Sequence, residues 1–277
     1  MLDVHIMEEI VLRALAEDIG TGDVTTRSII PETQQITGKV MAKESGVICG
    51  IPMMIKVFEK IDPNIKVKPH MSDGDKAEQG DVIAQIEGPA VGVLEGERVA
   101  LNLIQRLSGI ATKTARFVDA VKGTKARITD TRKTTPGLRV IEKYAVKAGG
   151  GANHRFNLSD GILIKDNHIK AAGSITNAVN AARKNAPHTL KIEVEVETMA
   201  QIDEALNAGA DIIMLDNMDI EAMQRAVERI DGKALVEASG NMGDKNLPEV
   251  AQTGVDLISV GALTHTVKAM DISLRFE

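Results

Sequence analysis

The chain has 277 residues, 43% of them hydrophobic and 26% charged, enough apolar material for one large domain or two ordinary ones. Its 33 Lys and Arg against 39 Asp and Glu leave a formal charge of −6, and Trp is absent. Both the basic surplus and the stacking aromatics of a general nucleic-acid binder are therefore missing.

The opening residues, MLDVHIMEEIVLRALAEDIG, are acidic and lack the basic head and long apolar run of a secretory signal. No stretch approaches about 18 uninterrupted apolar residues, so no membrane span is expected. The single cysteine, Cys49, excludes an internal disulfide and any CxxC-type metal site, and it suits a reducing cytoplasm. A soluble cytoplasmic protein is expected.

Val4, Met7, Ile10, Val11, Ala14 and Leu15 fall at helical spacing and predict a helix over 4–16. EDIGTGDVTT then breaks it. ITGKVMAKESGVICG predicts two short strands about a turn at Glu44–Gly46, followed by a helix near 52–60 entered through Pro52. Between residues 66 and 88, alternating runs separated by Asp-Gly and Gly-Asp turns favour antiparallel β-structure. Helical spacing resumes from Leu94 to Val121 with an interruption at Ser108-Gly109, where the domain boundary is placed.

Beyond it the rhythm changes. ARITDT, GILIKDNH, KIEVEVE, DIIMLDN, ALVEASG and DLISVG are short β-branched runs, most of them followed by Ala-rich helical segments. Strands alternating with helices imply parallel β/α units. No GxGxxG follows the first strand, which argues against a dinucleotide-binding sheet and for a closed or nearly closed β/α barrel. Such barrels gather their chemistry at the C-terminal ends of the strands. Those ends carry Arg132 and Lys133, Lys165, Glu195, Asp216, Ser239 with Gly240, and Gly261. Polar residues at all six ends of otherwise apolar strands are the main functional signal.

The charge there is local. Between Lys125 and Arg155 the chain has eight Lys or Arg and only two acids, Asp130 and Glu142. Arg132, Lys133 and Arg155 read as a site for a strongly anionic small molecule, or else as a solvated basic face. The glycine run 149–151 before His154 and Arg155 would let backbone amides approach a ligand, or would simply turn the chain. His154 is a stronger candidate than His168, which has Asp166 and Asn167 as ordinary local partners. Glu195 and Asp216 read as hard oxygen ligands for magnesium, as acceptors for sugar hydroxyls, or as helix caps. Strand alternation puts Glu193, Glu195 and Glu197 on one face without saying which reaches a ligand. Ser239, Gly240, Asn241, Gly261 and Ala262 suit a phosphate cradle at helix N-termini, or close strand–helix packing. On spacing alone, Arg98 reads as half of a surface ion pair with Glu95 or Glu97.

Taken together, ERVALNLIQRLSGIAT, TDTRKTTPGLR, KAGGGANHRFNLSDGILIKDNHI, EVEVET, LDN, SGN and VGALTH closely resemble the quinolinate phosphoribosyltransferases, the carboxylating nicotinate-nucleotide pyrophosphorylases of NAD synthesis. The motifs occur in family order, and AEDIGTGDVTT fits as well, so the resemblance spans essentially the whole chain. It implies an N-terminal α/β sandwich over 1–108, an α/β barrel over 109–267, and a last strand, 268–277, returning to the first domain. It implies transfer of phosphoribosyl from phosphoribosyl pyrophosphate to the ring nitrogen of quinolinate, with loss of carbon dioxide.

By resemblance, quinolinate falls to Arg98, Arg132, His154, Arg155 and Lys165. Phosphoribosyl pyrophosphate falls to Lys133 and Lys165, its 5-phosphate to Ser239, Gly240, Asn241, Gly261 and Ala262, and Thr131 lines the same mouth. Lys133, Lys165, Glu195 and Asp216 are the implied catalytic group, with Glu195 and Asp216 near the ribose and Mg2+. A homodimer or higher homo-oligomer is also implied, Arg98 reaching the partner subunit's site. The alternatives are a related molybdate-transport-associated protein, a non-catalytic nucleotide sensor, and a barrel aldolase using Lys133 or Lys165 as an imine-forming nucleophile.

Overall fold

The structure, a computed structural model, describes residues 3–276. Met1, Leu2 and Glu277, at the ends of the expected first domain and returning strand, lie outside the described residues. The chain forms two compact units: one up to Ala115 with Thr134–Gly150 and the residues from Thr266, the other Arg116–Lys133 with Gly151–His265.

In the first unit, α1 (Val4–Ile19) starts where Asp3 accepts hydrogen bonds from the backbone of His5 and Ile6. It buries Met7, Ile10, Val11 and Leu15, four of the residues whose spacing predicts it. The expected break falls at residues 20–23, and a second helix, α2 (Val24–Ile29), starts at its end, where the Asp23 carboxylate caps Thr26. Next come β1 (Gln35–Ala42), β2 (Gly46–Val47), α3 (Ile51–Ile61), β3 (Lys66–Pro69), β4 (Lys76–Ala77) and β5 (Val82–Pro89). The expected β1–β2 hairpin does not form: β2 pairs with β4, while β1 pairs antiparallel with β5. The other edge of β1 takes the last strand, whose Leu274 faces Val40 and whose Ile272 faces Ala42.

Helix α4 (Ala90–Ala120) runs unbroken through Ser108 and Gly109, where an interruption is expected. The reason is packing rather than a bend. The Ser108 hydroxyl accepts from Cys49 N at 2.9 Å and donates to its carbonyl at 3.1 Å. A Cβ at position 109 would stand 2.1 Å from the Lys268 carbonyl oxygen. Both residues are small because another part of the chain touches the helix backbone there.

The second unit begins at the end of α4 and supplies β6 (Arg127–Thr129). The chain then returns to the first unit for α5 (Arg139–Ala148), which the sequence pattern groups with the barrel. Polar contacts hold it there: Arg106 of α4 pairs with buried Glu142 at 2.6 Å, and the Tyr144 hydroxyl donates to Asp73 at 2.8 Å. Next follow β7 (Ile162–Ile164), α6 (Asp166–Ala172), α7 (Ile175–Asn185), β8 (Ile192–Val196), α8 (Met199–Asn207), β9 (Ile212–Asp216) and α9 (Ile220–Ile230). The series ends with β10 (Leu235–Ser239), α10 (Leu247–Gln252), β11 (Leu257–Ser259) and α11 (Ala262–His265), before β12 (Ile272–Phe276) re-enters the first sheet.

The strands β6, β11, β10, β9, β8 and β7 lie side by side in that order, all parallel. Among the described residues no ladder joins β6 to β7, so hydrogen bonding leaves the barrel open there; Ala152 makes only an isolated bridge to Thr129. Ile192, Val194, Val196, Ile213, Leu215, Val236, Ala238 and Ile258 are buried in this unit. No helix among the described residues is long and apolar enough to cross a membrane.

Gly109→Ala is expected to destabilise the protein by about 2 kcal/mol or more, because the new methyl meets backbone that cannot swing aside. A denaturant titration of the variant tests this, and an unchanged midpoint would disprove the close contact.

Candidate active site

Parallel strands present all their C-terminal ends on one side, and there the second unit holds a cavity of about 600 Å³. Thr131, Arg132 and Lys133 enter it just beyond β6, and Lys165 just beyond β7. Glu195, Asp216 and Ser239 enter from the ends of β8, β9 and β10, while Gly261 and Ala262 follow β11. His154 and Arg155 join them from the loop before β7, with Gly240 and Asn241 after β10. Residues separated by more than a hundred positions in sequence thus share one opening.

Local bonding sets each position. The Thr131 hydroxyl accepts from Lys133 N at 3.0 Å, and buried Thr264 donates to the Lys133 carbonyl at 2.8 Å. The Lys165 ammonium is ion-paired with Glu195. On β8 the pleat turns alternate acids inward at different depths: Glu195 reaches the cavity, Glu193 is buried beneath it, and Glu197 lies exposed beyond the strand. Asp216 accepts from Asn217 Nδ2 at 2.8 Å, and Asn217 N donates to the Ser239 carbonyl at 3.1 Å, tying the β9 and β10 loops together. Gly240 has φ 92°, and a Cβ there would lie 2.3 Å from Asn217 Oδ1, so the loops meet at a position only glycine fits.

Of the residues expected at helix starts, only some stand at one. Gly261 and Ala262 open α11, but Asn241 leads into a loop and α10 begins only at Leu247. His168 is not among the cavity residues: its Nδ1 accepts from Lys165 N at 2.9 Å, closing the first turn of α6. Arg98, exposed on α4, does not line the cavity either. Its expected partner Glu95 is buried and accepts instead from Arg27 Nε at 2.6 Å. Burial raises the Glu97 carboxyl, and the charge of Arg98 offsets part of that rise.

At the base of the cavity lies a group the sequence pattern does not isolate: His154 and Glu237 border the cavity, and Glu193 is buried behind them. His154 Nε2 stands 3.2 Å from Glu193 Oε2 and 3.5 Å from Glu237 Oε1, both carboxylates being buried. The same ring's Nδ1 accepts from Arg155 N at 2.8 Å, and His154 N donates to Asp130 at 2.9 Å. These three side chains have the donor types of a metal site. An Nδ1 that accepts a hydrogen bond, however, leaves the ring proton on Nε2, where it faces the carboxylates and blocks coordination. Both ring nitrogens are thereby occupied within the protein, so His154 lines the cavity without a free nitrogen for a ligand.

Burial, then the neighbouring Glu193 charge, push the Glu237 carboxyl up to about 7; His154, Ser259 and Lys165 act in the opposite direction. Burial and the charge of Arg132 lower the Arg155 guanidinium, and Glu193 counters them. Glu237 is recognisable afterwards as an acid inside the apolar run ALVEAS. His265, Asn217 and Asp244 also line the cavity, and nothing in their spacing singles them out.

A carboxyl raised in the fold binds its proton more tightly than in the unfolded chain, so Glu237 favours folding at low pH. That contribution is complete below about 4.5 and is lost as pH rises to about 7. Glu237→Gln is expected to flatten the pH dependence of stability across this window and to raise the melting midpoint above it. Identical wild-type and variant slopes would rule out the raised carboxyl.

Known proteins agree with the geometry along nearly the whole chain. The models for the N-terminal and C-terminal domains of quinolinate phosphoribosyl transferase match residues 23–108 and 110–275. A Bacillus subtilis (strain 168) protein named "Probable nicotinate-nucleotide pyrophosphorylase (carboxylating)" is 50% identical, over 93% of this chain and 89% of its own. The Mycobacterium leprae nicotinate-nucleotide pyrophosphorylase (carboxylating) is 44% identical over 95% and 94%. The solved nicotinate-nucleotide pyrophosphorylase of Francisella tularensis superposes with a TM-score of 0.95 at 39% identity, covering 100% of this chain and 98% of that one. The chain belongs to the quinolinate phosphoribosyltransferase family.

Proposed function

We propose that the protein transfers phosphoribosyl from phosphoribosyl pyrophosphate to the ring nitrogen of quinolinate, releasing pyrophosphate and carbon dioxide and leaving nicotinate mononucleotide. The observation that carries this reading is the meeting of Arg132, Lys133, Arg155 and Lys165 with Glu195 and Asp216 in one cavity. Quinolinate brings two carboxylates and its co-substrate a phosphate and a pyrophosphate, so the reactants repel one another. Fixed cations in a partly enclosed mouth offset that repulsion and align the pair.

Arg132, Arg155 and Lys165 take the quinolinate carboxylates, and His154 serves by holding Arg155 from behind. Lys133 and Lys165 face the pyrophosphate, with Thr131 beside them. Ser239, Gly240, Asn241, Gly261 and Ala262 receive the 5-phosphate. As the bond from the anomeric carbon to pyrophosphate breaks, the ribose becomes oxocarbenium-like, and Glu195 or Asp216 stabilises that positive charge while the pyridine nitrogen bonds to the carbon. The ring nitrogen is then cationic. The adjacent carboxylate leaves as carbon dioxide because the electron pair it leaves behind sits next to that charge and then takes up a proton.

Glu195 and Asp216 supply the hard carboxylate oxygens that Mg2+ prefers and would hold it directly or through water. When bound, it neutralises charge on the departing pyrophosphate. A homodimer in which Arg98 enters the partner's site accords with an exposed arginine whose neighbour Glu95 is already engaged by Arg27. A single buried cysteine accords with a cytoplasmic setting. The aldolase reading is disfavoured because Lys133 and Lys165 share the cavity with Arg132 and Arg155, a crowd of cations suited to phosphoryl and carboxylate ligands. The molybdate-associated and sensor readings are disfavoured by enzyme names among relatives matched over nearly all of the chain.

Mixing protein, quinolinate, phosphoribosyl pyrophosphate and magnesium should yield nicotinate mononucleotide, and no product would refute the assignment. Arg132→Ala and Arg155→Ala should each lower kcat/KM for quinolinate by about a hundredfold, the worth of a bidentate charged contact. Lys133→Ala should instead chiefly impair use of phosphoribosyl pyrophosphate. If Arg98 crosses between subunits, Arg98→Ala and Lys133→Ala proteins, each nearly inactive, should regain about a quarter of wild-type turnover when re-associated. No recovery in demonstrated mixed dimers would confine Arg98 to its own chain.

A further inference from the structure

A carboxylate inside a parallel strand is a liability. It must be desolvated, and an apolar residue of the same volume usually leaves the fold as stable or more so. This barrel buries two, Glu193 on β8 and Glu237 on β10, and turns both toward one imidazole. Oε1 of each has no hydrogen-bond partner. Packing alone gives no reason for the pair.

What they touch supplies one. The Nε2 proton of His154 faces the two carboxylates, which sets both the tautomer and the angle of the ring. That orientation aims Nδ1 at Arg155 N, the 2.8 Å contact that fixes the backbone of the arginine. Farther out, Arg155 Nη1 donates to the Gly161 carbonyl at 2.8 Å, so the residue is gripped at its backbone and at one guanidinium nitrogen. The other guanidinium N–H groups are left for a ligand in the cavity. Glu193 also supplies negative charge that favours the cationic form of Arg155 against the repulsion of Arg132.

We infer that Glu193 and Glu237 are positioning residues for the carboxylate-recognising part of the cavity, acting through the His154 ring on Arg155. The inference rests on the quinolinate reading above, since it names the ligand whose binding the two acids govern. Glu193 does not line the cavity, so its influence is indirect; Glu237 borders the cavity at its base but is almost wholly buried, its carboxylate turned to His154. Of the phosphoribosyl pyrophosphate groups, Lys133 and the loops after β10 and β11 lie outside this relay, and Lys165, shared by both substrates, is held by its own partner Glu195. Loss of the relay therefore affects one substrate and not the other.

The test is steady-state kinetics of Glu193→Gln and Glu237→Gln, with His154→Ala as reference. Glutamine keeps the shape and removes the charge. Each glutamine variant is expected to raise KM for quinolinate about tenfold while KM for phosphoribosyl pyrophosphate stays within about twofold, with no fall in melting midpoint. In the His154→Ala background, Glu193→Gln should add no further rise, because the element it acts through is gone. Unchanged quinolinate KM in both variants overturns the inference. So does a matched loss for both substrates with a lower midpoint, the mark of a merely structural role. A full multiplicative effect on top of His154→Ala also overturns it, since Glu193 would then act by another route. Should one variant fail to fold, the other decides by the same criteria. Failure of the wild-type protein to form nicotinate mononucleotide would sink the parent reading instead; quinolinate binding by calorimetry, wild type against variants, would then still judge the relay.

Discussion

Like charges held close together repel, and the second unit of this protein is built around that fact. A chain with a formal charge of −6 concentrates Arg132, Lys133, Arg155 and Lys165 in one opening. In a partly enclosed site such repulsion is far less screened than in water. Strand β8 supplies much of the relief from two alternate residues: Glu195 neutralises Lys165 at the mouth, and Glu193 opposes the Arg132–Arg155 repulsion from below. The two counter-charges are at different depths, one lining the cavity and one buried behind it.

The fold serves this arrangement through economy of backbone. Short parallel strands end together, and their final residues become neighbours although the intervening helices separate them in sequence. Those helices are closed by their own side chains: Thr198 and Gln201 cap one another at the start of α8, and Asp219 caps α9. The loops that follow can then be specialised. Asn217 and Gly240 interlock where β9 and β10 end, and Thr264 grips the backbone of Lys133 from α11.

The cavity was legible in sequence because its signal is positional. A polar residue ending an apolar β-run marks the mouth of a barrel, and Arg132, Lys133, Lys165, Glu195, Asp216 and Ser239 all carry that mark. Depth and pairing were not legible. Glu193 and Glu195 share a strand face, and periodicity is silent on which one meets solvent. His154 reads as a ligand-binding histidine because sequence cannot show that Glu193, Glu237 and Arg155 already occupy its nitrogens. Ser108-Gly109 reads as a helix break because glycine is ambiguous between flexibility and close approach, and only the Lys268 carbonyl beside it decides. The β1–β2 hairpin fails to form for a related cause: adjacency in sequence favours local pairing, whereas β1 has longer partners in β5 and β12.

A ring of strands hydrogen-bonded all the way round has a fixed circumference. This one does not, for among the described residues β7 shares no ladder with β6 or with the segment at Ala152 that borders it. Lys165 sits at one lip of that seam, and Arg132 and Lys133 follow the strand across it. The two sets of cations therefore stand on strands that no ladder joins directly, and across that gap side chains, such as Arg155 reaching the Gly161 carbonyl, take the place of backbone pairing.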